Sequence, residues 1–73
     1  MDYKKHLTKL QAIEKNTQEQ INDMNTHIER QTDSWNNTYD ADIYKEKLND
    51  IVLFLDSIKE SIDNMEILIE KYL

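Results

Sequence analysis

The sequence predicts an all-α chain folded as an antiparallel two-helix hairpin, coiled-coil-like, and three observations carry that expectation. Apolar residues recur at alternating steps of three and four through two long segments, one polar break separates the segments, and the 73 residues include no Gly and no Pro. Average usage would supply roughly nine Gly and Pro in a chain of this length, and a sheet protein needs them in its turns. Their absence leaves helices as the regular structure. It also removes every glycine-dependent phosphate loop.

Helix one is expected over about residues 2–34. The rhythm runs through Tyr3, Leu7, Leu10, Glu14, Thr17, Ile21, Met24, Ile28, Gln31 and Trp35. Seven of these ten are apolar, and Ile13 sits beside the gap at Glu14, so the helix presents a thin and interrupted seam. A turn over about residues 35–40 is expected next. It lies in the stretch Asp33–Asp42, where residues that bond their own backbone concentrate. Asn36 or Asn37 suits the left-handed conformation that ends a helix, and Thr38, Asp40 or Asp42 can accept amide hydrogens at the start of the next. Helix two is expected over about residues 41–73. Its rhythm runs through Tyr44, Leu48, Ile51, Leu55, Ile58, Ile62, Met65, Ile69 and Tyr72, all of them apolar. Helices of this length reach about 48 Å at 1.5 Å per residue. The structural alternative is one continuous helix running through Asn36 and Asn37.

Helix two carries more apolar surface than one seam can use. Leu53, Phe54, Ile67 and Leu68 form a second stripe, separated at helical spacing by Ser57, Ser61 and Asn64. Large groups at both ends with small ones between let another backbone approach closely, and a helix apolar on two faces is usually buried on two. These seven residues are the expected partner-binding face, with self-association through the same stripe expected of the isolated chain.

A single domain spans residues 1–73, and a core this small is marginal unless something reinforces it. With no Cys, disulfides and thiolate metal sites are excluded together, so the expected reinforcement is a partner or a second copy. The charge balance, 9 basic against 15 acidic side chains for a net −6, argues against direct nucleic-acid binding, which needs concentrated positive charge. The longest apolar run, Ile51–Leu55, is far short of a bilayer span, and Met1–Leu10 is too polar for a signal-peptide core. No membrane insertion is therefore expected, and a cytoplasmic location is. His6 and His27 stand about 31 Å apart along helix one and cannot share a metal. Asp40-Ala41-Asp42 begins like a calcium loop but lacks its glycine and its distal glutamate. Two helices enclose no pocket for a nucleophile, its base and an oxyanion hole, so neither an enzyme nor a cofactor is expected. Trp35, the one tryptophan, is expected to plug the open end of the hairpin.

The run Phe54-Leu-Asp-Ser-Ile-Lys-Glu-Ser-Ile-Asp-Asn-Met-Glu-Ile-Leu-Ile-Glu-Lys-Tyr72, with Leu7-Thr-Lys-Leu10 near the start, resembles the small needle-protein co-chaperones of type III secretion systems, the YscE type. The likeness spans most of the chain and lies mainly in helical pattern. It implies a bacterial cytoplasmic protein that pairs with a larger helical-repeat chaperone and, through it, stabilises the needle subunit before export. A second likeness is to the WxG-type hairpins exported by type VII secretion systems, because Trp35 sits at the bend. Here position 37 is Asn rather than Gly, and no Tyr or Phe is followed four residues later by Asp or Glu. A third class, an acidic phage-type inhibitor that imitates nucleic acid, is suggested by charge alone.

Overall fold

The computed structural model describes residues 2–72, and its regular elements are helices: α1 (Tyr3–Glu29), the single turn α2 (Asp33–Asn36) and α3 (Tyr39–Tyr72). α1 and α3 pack side by side in a rod measuring 55 × 15 × 15 Å. One continuous helix would extend roughly 105 Å at 1.5 Å per residue, so the chain is a hairpin and the single-helix alternative is excluded.

Each helix starts on a side-chain cap. Asp2, in an extended conformation, accepts the Lys5 amide hydrogen at 3.1 Å and so satisfies one of the free donors at the start of α1. Thr32 does the same for α2, accepting from the Trp35 amide at 3.3 Å. Thr38 then caps α3: its hydroxyl donates to the Trp35 carbonyl at 2.6 Å and accepts from the Ala41 amide at 3.2 Å. Of the three caps foreseen for the second long helix, Thr38 is the one used. Asp40 and Asp42 lie in the first turn instead, where their charge faces the positive end of the helix dipole.

The bend differs from the expected one. α1 stops at Glu29 rather than near residue 34, and α3 begins at Tyr39, two residues early, so the connection covers residues 30–38. The cause is Thr32, whose extended backbone (φ −77°, ψ 162°) interrupts the helix four residues ahead of the first asparagine. No described residue has positive φ, so neither Asn36 nor Asn37 takes the left-handed conformation. Asn36 belongs to α2, and its side-chain amide donates to the Thr32 carbonyl at 3.1 Å. The reversal is made in two capped steps rather than by one left-handed residue.

Between α1 and α3 runs a core one layer thick. All ten seam positions read from helix one are buried or half-buried, as are Tyr44 through Ile69 of the seam in α3. Thr17, Ile21, Met24, Ala41, Leu55 and Ile62 are the buried residues, yet no large side chain among the described residues is fully enclosed. At the interruption, Glu14 is half-buried and Ile13 stays exposed. The heptad position therefore outweighs side-chain polarity there: rotating the helix to bury Ile13 would turn Ile21 and Met24 away from α3.

Candidate docking face on α3

Because successive residues of a helix are 100° apart, Leu53 points some 160° away from its neighbour-but-one Leu55. Leu55 is buried against α1 while Leu53 is 65% exposed. The same geometry leaves Phe54 at 51% and Ile67 at 57% exposed, on a helix otherwise locked in place by its inner side. Ser57, Ser61 and Asn64 lie exposed between them. The Ser57 hydroxyl donates to the Leu53 carbonyl at 3.2 Å, which folds that side chain back on its own helix and keeps the middle of the face low. Leu68 is the exception. It is half-buried, so of the four large residues foreseen on this face three are openly exposed and Leu68 contributes only an edge.

The face reaches further than the periodicity suggested. Tyr39 and Ile43, in the first turns of α3, are also exposed and follow the same side of the helix toward Phe54. Both were legible as apolar residues off the main rhythm. Ala41, buried completely, was missed as a core residue, although it continues the rhythm one step ahead of Tyr44. Its methyl group is the smallest side chain in the seam.

At the bend Trp35, His27 and Tyr44 form an aromatic cluster. The Trp35 ring lies edge-on to His27 at 5.8 Å and to Tyr44 at 5.9 Å, and His27 to Tyr44 measures 4.9 Å between ring centres. The Gln31 amide nitrogen stands 3.4 and 3.5 Å from the two His27 ring nitrogens. Trp35 thus closes the bend end of the hairpin within its own chain, as expected of it. Elsewhere Glu14, Lys15, Gln18 and Glu19 of α1 line an open groove with Lys59 of α3. Among the described residues no three His, Asp or Glu side chains gather as a metal site would require, and no helix is long and apolar enough to cross a membrane.

No family model matches this sequence, and comparison with curated proteins and with solved structures finds no match for it. The arrangement of residues on α3 therefore carries the functional argument.

Proposed function

We propose that the chain is a non-enzymatic protein-binding module of the bacterial cytoplasm, and that the outer face of α3 docks on a larger helical partner. One observation carries this reading: Leu53, Phe54 and Ile67 are held open to water on an ordered helix whose opposite side is already buried. A solvated helix in a finished monomer has a polar outer side, and an exposed apolar stripe of this kind is a contact surface. The resemblance to the type III needle-protein co-chaperones gives the partner a form. A helical-repeat chaperone offers a concave groove that a rod of this width fits, and the needle subunit would be held by the pair before export.

The test is co-expression of the chain with such a chaperone and its needle subunit. Wild-type protein is expected to co-purify with the chaperone and keep the needle subunit intact. The double variant Phe54→Asp with Ile67→Asp is expected to stay helical but lose the complex, because a few desolvated anchors carry most interface energy. Unchanged affinity in that variant would show that α3 docks by some other face.

A further inference from the structure

The outer face of α3 has a symmetry that a one-sided docking surface does not require. Leu53 and Leu68 lie equally far on either side of the step between Glu60 and Ser61, and so do Phe54 and Ile67, Ser57 and Asn64, and Asp50 and Lys71. In a helix, residues equidistant from a point along the axis are also equally rotated from the radius through that point. A two-fold axis perpendicular to both that radius and the helix axis, placed just beyond the side chains, would set each residue level with its counterpart in a second helix running the other way. The radius points away from the seam, since Ser57 and Asn64 nearest to it are exposed while Leu55 and Ile62 are buried.

We infer that a second copy of this chain covers the outer face of α3, in an antiparallel pairing whose two-fold axis passes between Glu60 and Ser61. An isologous contact needs a self-complementary surface, and each pairing here is one. Leu53 meets Leu68 of the second copy, with Phe54 flanking that Leu68 and Ile67 of the second copy flanking Leu53, so four apolar side chains gather at each end. Asp50 meets Lys71, opposite charges placed twice by symmetry; both side chains are exposed in the single hairpin. At the centre, Ser57 already donates its hydroxyl hydrogen to the Leu53 carbonyl. Its oxygen therefore faces the second copy as an acceptor, and Asn64 supplies an amide donor. The small residues around the axis allow close approach of the two backbones. The two Glu60 side chains fall on the same flank of the contact, beside the axis, where their like charges oppose the pairing and salt screens them. The paired stretch from Asp50 to Lys71 is about 32 Å long, and the assembly is a four-helix bundle with the two α3 helices at its centre. The inference rests on the outer face alone and not on the chaperone proposed above. That partner would have to displace the second copy.

The register can be read by cross-linking, since the chain has no native Cys. In this pairing residue 57 faces residue 64 of the second copy across the axis, whereas two copies of residue 57 stand seven residues apart, about 10 Å along the helix, beyond disulfide reach. Separate Ser57→Cys and Asn64→Cys chains are expected to resist oxidation to dimers when alone and to form a mixed disulfide when combined. Equal cross-linking of either variant alone, or none in the mixture, would overturn the register. Sedimentation equilibrium of the unmodified chain tests the dimer itself, and a monomer at about 100 µM would sink it. Charge supplies an independent check: Asp50→Lys or Lys71→Asp is expected to weaken the dimer about five-fold, and the double variant to restore it. Failure to restore would remove the paired-charge register. Chaperone capture measured on the same variants separates the two ideas, because a chain that fails these tests yet still binds the chaperone overturns only the dimer.

Discussion

The two long helices of the hairpin share one seam and differ in everything outside it. Away from the seam, α1 exposes Ile13 as its one large apolar side chain, whereas α3 exposes six, from Tyr39 to Ile67, and its last seam residue Tyr72 is exposed as well. The acids divide the same way: residues 36–73 hold nine acidic and four basic side chains, against six and five in residues 1–35. One helix has a single apolar side and the other has two. In the pairing inferred above, the hairpin would be half of a larger packing unit, with α1 as its outer wall and α3 as its middle layer.

The strongest way to break that contrast is to attack the shared seam. Leu55→Ala or Ile62→Ala is expected to cost about 2 to 5 kcal/mol, enough to unfold a large fraction of a chain with so thin a core. Circular dichroism against urea will show it, and retained helicity at wild-type denaturant midpoints would mean that the seam is not the core. Outer-face changes sharpen the contrast from the other side. Phe54→Asp is expected to leave helicity in place at low protein concentration while making the melting temperature independent of concentration, since linkage to association disappears. A wild-type melt that never varied with concentration would contradict the two-sided account of α3.

Smaller effects come from the ends. Thr38→Ala removes the cap of α3 and is expected to cost about 1 kcal/mol, with Thr38→Asp retaining most of it. Asp2→Ala, at the fully solvated start of α1, should cost less, about 0.5 kcal/mol. Both are measurable by chemical denaturation, and a larger loss at Asp2 than at Thr38 would reverse the order that the structure implies. His27→Ala, which removes one ring from the aromatic cluster, is expected to cost about 1 kcal/mol and to shift the fluorescence of Trp35.

The fold was largely legible because the seam is periodic over many turns: each of Tyr3 through Trp35 that the rhythm selected is turned inward, even the polar Glu14 and Gln31. The bend was legible as a place but not as a shape. Asn36 and Asn37 carried the familiar signal for a left-handed stop, whereas the stop is made by Thr32, an ordinary helix-tolerant residue whose cap bond to Trp35 competes with helix continuation. Ala41 escaped notice because a methyl group gives little hydrophobic signal, although position alone marked it. On the candidate face, Leu53, Phe54 and Ile67 are exposed where their spacing put them, and Leu68 is half-buried. What covers that face was not legible from periodicity, which reports that a side is apolar and not what lies against it.

The shape of the rod has a hydrodynamic consequence. A body of 55 × 15 × 15 Å is nearly four times longer than wide, so it tumbles quickly about its long axis, slowly end over end, and meets more friction than a sphere of 8.8 kDa. Lone hairpins will therefore pass through a sizing column as though heavier than they are. Side-by-side association through α3 thickens the particle more than it lengthens it, so the frictional ratio falls as the mass doubles. Sedimentation velocity, which resolves both quantities at once, reads that opposite movement directly.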